Sequence, residues 1–514
     1  MYPWKRLARL ALSAVVGCAW VASGAPARAE EVPRDPTSTF QYLRNGEKDY
    51  FRTALELGGA LAVGLVWYQY TASNTQDWDL GYDWPALRKK LLLEAVRFDT
   101  NRFDTNMLSH TMEGGVFYLA ARSNRLSIAE STLVSFTGSL LWEYVGELKE
   151  QVSVNDIIVT PIAGAAVGEA AMQLGAFFDR GRRTFLTRAL GIAFGPTKHA
   201  HDWADDAEPR RSTDTDALGF TREVGHAFEV WAGAGVTAQG GRTRGTDARF
   251  GLSAEIQDVP GWGAPGASSG WVTDGNFSRV AVDTTWADIG LADLSFATTV
   301  APVAWFHREL REDARGPATL GGSRVHLGPT LGFDYDLHRW DRTRPRVEDP
   351  ISSVHVGGLD VEHELFAGAL SLRTRLHAHA GFAAVRSLAL DGYVAKGGNI
   401  ERLPSIMREN SYHYAWSADL APEVRVRYGP LEAGGRAQID AYWGIDGLDR
   451  RGDVVDPVPL RDRRTLARAW VAFAPIPPVR LTFGGDARVR LSEVADARAR
   501  ATESSVWAAL GGLF

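Results

Sequence analysis

Two hydrophobic periods divide this chain. Between about Asp49 and Gly195 apolar residues recur at helical spacing, whereas from about His226 to the C-terminus they alternate with polar ones. The alternation is clearest over Ser323 to His338. There Val325, Leu327, Leu331, Phe333, Tyr335 and Leu337 share one face, and Arg324, His326, Thr330, Asp334, Asp336 and His338 the other. Val479 to Ser492 and Ser371 to Phe382 repeat the pattern, the latter setting Leu372, Leu376 and Phe382 against Arg373, Arg375, His377 and His379. Soluble sandwiches also alternate. These segments are longer than ordinary strands, however, and put several arginines on one face, which favours a transmembrane barrel that is apolar toward lipid and polar toward its lumen. Strand-like segments begin near 226, 248, 278, 292, 323, 352, 370, 411, 431, 463, 479 and 503. That predicts a C-terminal antiparallel β-barrel of about twelve strands over 226–514, its lumen lined by Arg324, Asp334, Asp336, Arg373, Arg375, Arg425, Arg427, Arg488 and Arg490. Trp286, Trp305, Trp340, Tyr412, Trp416, Tyr428, Trp443 and Trp470 fall near strand ends, where aromatic girdles form.

The helical part, 49–195, predicts helices over Tyr50 to Tyr70, Pro85 to Phe98, Asn106 to Ser123, Ile128 to Gln151 and Asn155 to Arg180. Ser127-Ile-Ala-Glu130 is a capping box, and Ser153 can cap the last helix. Gly164 and Gly168 form a GxxxG, a spacing that admits a close neighbour. Residues 196–225 are polar, carry Pro196 and Pro209, and read as a linker. A twelve-stranded lumen is narrow, so the helical domain is expected outside it, at the periplasmic mouth.

The address fits this architecture. Lys5, Arg6 and Arg9, the apolar run Leu10 to Val21 and Ala27-Arg28-Ala29 form a signal peptide over 1–29, followed by an extended linker over 30–48. A competing reading lipidates Cys18, the single cysteine. Without the leader 52 basic residues face 62 acidic ones, so nucleic acid is not an expected partner. After the leader no uninterrupted run of 18 apolar residues occurs; Leu57 to Tyr68 comes nearest. The last strand, Ser504 to Phe514, ends on an aromatic, the form of a C-terminal strand read by barrel-assembly machinery, with Phe514 as its signal.

Candidate chemistry gathers in the helical part: Asp99, Asn101, Asp104, Asn106 and His110, then Glu143 and Glu147, then Ser153, Asn155, Asp156 and Glu169. Burying such groups is costly unless they are paired or bind something. One reading joins His110, Glu143, Glu147 and Asp156 or Glu169 in a carboxylate-rich site for a divalent metal, although there is no Glu-x-x-His. Another makes His110 a general base for Ser131, Ser135 or Ser139 in a lipid-directed hydrolase, although no GxSxG is present. The stronger reading is structural: Asp104 or Asn106 caps a helix, and His110, Glu143 and Glu147 form an internal network. No cofactor is predicted on that reading.

The succession FDTN, His110, ARSN (121–124), S-x-x-E-S (127–131), GSLLWE (138–143), SVND (153–156), TP-x-x-G (160–164) and GE (168–169) resembles an uncharacterised bacterial family, domain of unknown function 3943. The likeness covers roughly residues 95–180. It implies a cell-envelope protein and assigns no catalytic residue. Two FDTN copies, from Phe98 and from Phe103, compete for the motif, and the second abuts the His110 helix. The expectation is an outer-membrane barrel in contact with outer-membrane lipid, with a helical domain in the periplasm, acting in envelope structure, lipid handling or small-solute passage.

Overall fold

A computed structural model describes residues 48–72, 80–81, 83–207, 209, 211–240, 242–259, 261–288, 290–312, 320–340 and 348–514. The signal peptide, Cys18 and nearly all of the 30–48 linker lie outside the described residues. Two short parallel strands come first, β1 (Val96–Arg97) and β2 (Val152–Ser153). The barrel follows as β3 (Gly225–Gln239), β4 (Arg242–Gln257), β5 (Gly266–Ala287), β6 (Gly290–Glu312), β7 (Leu320–His338), β8 (Asp349–Gly368), β9 (Leu370–Arg386), β10 (Tyr412–Tyr428), β11 (Leu431–Gly444), β12 (Leu460–Ile476), β13 (Val479–Val494) and β14 (Ala497–Leu513). These twelve strands close into one antiparallel ring, with β14 paired to β3. At the seam Phe514 and Phe228 exchange backbone hydrogen bonds of 2.8 and 2.9 Å. The ring is a closed β-barrel, polar within and apolar without.

Ion pairs fix which face is which. Arg464 on β12 reaches Asp336 on β7 at 2.6 Å, and Arg373 on β9 reaches Glu255 on β4 at 2.5 Å. Arg488 on β13 reaches Asp293 on β6 at 2.9 Å. Each pair joins strands five apart around the ring, so these side chains meet inside it. On the opposite parity Val471, Phe483, Val506 and Leu510 are exposed.

The helices before the barrel are α1 (Tyr50–Ala72), α2 (Trp84–Leu91), α3 (His110–Ser123), α4 (Ile128–Leu141), α5 (Val154–Arg180), α6 (Phe185–Phe194) and α7 (Pro196–Ala204). Local chemistry sets their ends. Ser127 and Glu130 make both bonds of the capping box on α4, and the Ser153 side chain accepts from the Asp156 amide to start α5. The helix predicted to reach Phe98 stops at Leu91, because Leu93 takes a positive φ of 60° and the chain then enters β1. The helix predicted to reach Gln151 leaves α geometry at Trp142 through a π turn ending at Gly146. The segment read as a linker holds α7, which ties back through Lys198 to Asp179 at 2.8 Å.

A larger correction concerns where the helical domain sits. It does not cap a mouth of the barrel. It lies along the outside wall, with α5 against it from one rim to the other. Near its start, Val159 and Ala163 pack with Phe333, Val354, Phe382 and Tyr414. Midway, Ala166 and Ala170 meet Val300 of β6. At its end, Leu174, Phe177 and Phe178 pack with Phe228 of β3 and Ile256 of β4. The GxxxG explains how α3 stacks on α5. A Cβ on Gly164 would lie 2.6 Å from Gly114 Cα, and one on Gly168 would lie 2.7 Å from the Tyr118 ring.

Candidate functional site

The polar block sits where α5 begins, against the barrel rim formed by the end of β9 and the start of β10. Pairing of β1 with β2 directs residues 98–107 across the outward face of these strands. Both FDTN copies take part. Phe98 stacks on Tyr414 with ring centroids 4.9 Å apart, and Phe103 meets Tyr412 edge-on at 5.2 Å. The Asp99 carboxylate accepts from the Asn101 backbone at 3.0 Å and from its side chain at 2.6 Å. The fully buried Asn106 amide nitrogen lies within hydrogen-bond reach of Asp99 Oδ1, of Tyr412 Oη at 2.9 Å and of Tyr414 Oη at 2.6 Å. Neither Asp104 nor Asn106 caps a helix: the π turn Thr105–Ser109 starts without a side-chain cap, and Asp104 instead accepts from Tyr335 Oη at 2.8 Å. Docking to the barrel wins these side chains over the local caps.

One helical step inward, His110 Nε2 is 3.3 Å from Asp156 Oδ1, and its Nδ1 is 3.4 Å from Glu113. Burial alone would lower the imidazole pKa; the Asp156 and Glu113 carboxylates reverse this and raise it to about 10. Asn155 accepts from the Asp99 amide at 3.1 Å and donates to Asp156 at 2.7 Å, which joins the His110 pair to the dock. Glu143 is completely buried, with one oxygen on the Ser153 amide at 2.5 Å and the other without a partner. Burial, with the nearby Glu147 charge, holds Glu143 well above the ordinary carboxylate range. Burial and Glu150 bring Glu147 up to about 8. The Lys90 ammonium donates to the Glu143 and Glu147 carbonyls, both at 2.6 Å, so it neutralises the end of a helix rather than a carboxylate.

Glu169 does not join this group. It lies thirteen residues further along α5, roughly 20 Å at the helical rise, where it accepts from Arg122 and Tyr118 at 2.8 and 2.7 Å. Two of the three hydroxyls that a hydrolase could use are engaged elsewhere. Ser135 Oγ donates to the Gly114 carbonyl and Ser139 Oγ to the Asp156 carbonyl, both at 3.1 Å, while Ser131 is fully buried. Neither of the two best-formed cavities touches His110, Glu143, Glu147 or Asp156; the larger, 160 Å³, opens beside Arg102, Asp104 and Tyr412. The four candidate residues thus sit apart from both cavities, Glu143 and Asp156 buried and His110 and Glu147 half-buried.

In the barrel, Arg324 pairs with Glu364 at 2.6 Å, Arg375 with Asp360 at 3.5 Å, Arg425 with Glu423 at 2.5 Å and Arg490 with Asp462 at 2.9 Å. Asp334 accepts from His355. Arg427 departs from the set: it is exposed at the rim and, among the described residues, bonds only to the Gly429 carbonyl. Among the described residues, two groups of three ligand-type side chains lie close enough to share an ion, His355 with His379 and Asp419, and Asp293 with His338 and Glu503. Both are in the lumen, and neither contains a residue of the polar block. Sequence reasoning passed over Lys90, Glu113 and Arg122, whose partners lie one turn or many residues away. It assigned Tyr412 to a lipid-interface girdle, although Tyr412 and Tyr414, alternating on one face, bind Asn106.

Residues 95–197 match the family model described as Domain of unknown function (DUF3943). Among solved structures the chain is similar to OmpT, an outer membrane protein of Vibrio cholerae, at 8% identity over 57% of this chain and 98% of that one, with a TM-score of 0.21. It is similar to outer membrane phospholipase A from Escherichia coli at 10% identity, 55% and 95% coverage and a TM-score of 0.24. For the outer membrane channel DcaP of Acinetobacter baumannii the figures are 10% identity, 56% and 96% coverage and 0.19. No curated protein matches the chain.

Proposed function

We propose that this chain resides in the outer membrane as a closed scaffold and carries its helical bundle within the lipid belt, in a role of envelope structure or lipid handling rather than solute passage. The observation that carries the reading is the set of ion pairs spanning the lumen, Arg464 to Asp336, Arg373 to Glu255 and Arg488 to Asp293. Charges held across a narrow barrel obstruct a water path, and pairs of this kind resist opening because separating them strands a charge.

The bundle's outer surface supports a membrane location. From Leu57 to Tyr70 α1 carries no charged residue, and Val63, Val66 and Trp67 are exposed on it. Met112 and Val116 on α3 and Leu133 and Leu141 on α4 extend that surface. Charges return at both ends, as Lys48 with Glu130 and Arg52 with Asp205 at one, and as Lys90, Glu143 and Glu147 at the other. The uncharged stretch from Leu57 to Tyr70 rises roughly 21 Å, about two-thirds of a hydrocarbon core of about 30 Å. In this reading only the rims of the helical domain meet water, in place of a whole domain in the periplasm, and β14 remains the strand offered to barrel-assembly machinery.

Planar-bilayer recording tests the closed scaffold. The wild-type protein is expected to insert without steady conductance, and a triple variant with Arg373, Arg464 and Arg488 each changed to Ala to conduct. Stable open steps from the wild type would return the protein to solute passage.

A further inference from the structure

The lumen contains a cluster that the closed-scaffold reading does not use. His355 on β8, His379 on β9 and Asp419 on β10 sit on three neighbouring strands, and His379 and Asp419 are direct register partners. A bulge after His355 shifts the β8 register and brings its ring to 4.4 Å from the His379 ring, centroid to centroid. From the three side chains, one ligand atom each can be chosen so that all lie within 4.8 Å of one another. His355 Nδ1 is 3.0 Å and His379 Nδ1 3.4 Å from the Asp419 carboxylate. Metal bonds of about 2.0–2.1 Å at tetrahedral angles hold ligand atoms roughly 3.3 Å apart, so the spacing suits one ion among them.

Three further features point to a ligand. Both histidines are more than nine-tenths buried, and His355 Nδ1 faces the Asp419 carboxylate without hydrogen-bond geometry. Their outer nitrogens are already held by β7: His355 Nε2 lies 3.0 Å from Asp334 Oδ2, and His379 Nε2 lies 2.8 Å from Thr330 Oγ1. A carboxylate behind a ligating imidazole fixes its tautomer and strengthens it as a donor. Two glycines clear the space for the rings. A Cβ on Gly358 would stand 1.6 Å from the His379 ring, and one on Gly332 would stand 2.9 Å from the His355 ring.

Charge separates this trio from the other one. Arg488 already lies 2.9 Å from Asp293 and serves as the cation for Asp293, His338 and Glu503. Asp419 and Asp334 have no arginine or lysine partner among the described residues; their ion pairs are with His355 and His379 alone. With both imidazoles neutral, as ligation requires, the two carboxylates carry a charge of −2 that one divalent ion cancels.

We infer that His355, His379 and Asp419 form a lumenal site for a divalent transition-metal ion of the zinc type, with Asp334 and Thr330 as the positioning residues behind the two imidazoles. Two nitrogens and one carboxylate oxygen suit Zn²⁺ or Co²⁺ better than Ca²⁺ or Mg²⁺, which prefer oxygen alone. The site is independent of whether the barrel conducts.

Co²⁺ titration of the folded, detergent-solubilised barrel tests the site through the visible d–d absorption of tetrahedral cobalt. One Co²⁺ per chain is expected, displaced by Zn²⁺, abolished in His355→Ala and His379→Ala, and retained in His377→Ala, because His377 turns to Asp360 at 2.7 Å. Absence of cobalt bands in the wild type would overturn the site, as would equal uptake by both alanine variants. Asp419→Asn keeps the side-chain shape and guards against misfolding. If it migrates as a folded barrel, its Co²⁺ affinity should fall at least tenfold, and an undiminished affinity would also refute the assignment.

Discussion

The two sides of the barrel wall carry the same pattern and meet different surroundings. On β12 to β14, outward Val471, Phe483, Val506 and Leu510 stand exposed. On β7 to β10, outward Phe333, Val354, Phe382 and Tyr412 are completely buried beneath α5 and the 98–107 segment. The change occurs even along a single strand: on β10, Tyr412 and Tyr414 are covered, whereas Trp416, Leu420 and Val424 are bare. Period-two alternation reports which side chains leave the lumen. It says nothing of whether they meet lipid or protein.

That distinction sets how far the sequence could be read. The strands were legible because each runs 14 residues or more with a polar lumen face, and the caps because a serine and a glutamate three residues apart satisfy amides locally. The Gly164 and Gly168 spacing announced a close helix, and α3 fills it. The dock was not legible. Asn106 is more than 300 residues from Tyr412 and Tyr414, and no local rule joins them. Tyrosines at a strand end suit a membrane interface as well as a protein one. Glu169 looked like a neighbour of Asp156 because helix spacing was read without partners, and Arg122 claims it instead.

The sharpest way to break the comparison is chemical labelling, because its outcome is nearly all or none. If bundle and bare wall share one lipid belt, Val63→Cys on α1 and Phe483→Cys on β13 should both resist a water-soluble maleimide in native membranes and react with a lipid-soluble one. Lys149→Cys, near the bundle's polar rim, should react with both. Rapid aqueous labelling at position 63 alone would place the bundle in water and divide the two surfaces.

Packing gives the next largest contrast. Phe382 is wholly buried between the Phe98 and Tyr414 rings, at centroid distances of 6.1 and 5.4 Å, whereas Phe483 is 60% exposed. Phe382→Ala should cost about 3–5 kcal/mol, seen as earlier loss of helical signal in thermal unfolding, with Phe483→Ala costing several-fold less. Equal losses would mean that α5 contributes no more to the wall than lipid does.

The smallest effect should come from pH, and it belongs to the covered side alone. His110 has a folded-state pKa raised to about 10, so its contribution is complete below about 6.5 and is lost as pH rises through 10. Glu147, raised to about 8, keeps a proton in the folded state that the unfolded chain releases above its ordinary value near 4.5, so stability again falls as pH climbs from there to 8. Both groups act in the same direction between about pH 6.5 and 8. Glu147 is partly exposed, and solvent screening keeps the combined change below the roughly 4 kcal/mol that two full groups would give over that window. Helical unfolding followed from pH 5 to pH 9 should therefore move to lower temperature as pH rises, with a shallower slope in Glu147→Gln. A midpoint that rises with pH would show that His110 and Glu147 are not held as their ion pairs and partial burial require, and would reopen the polar block to a chemical role.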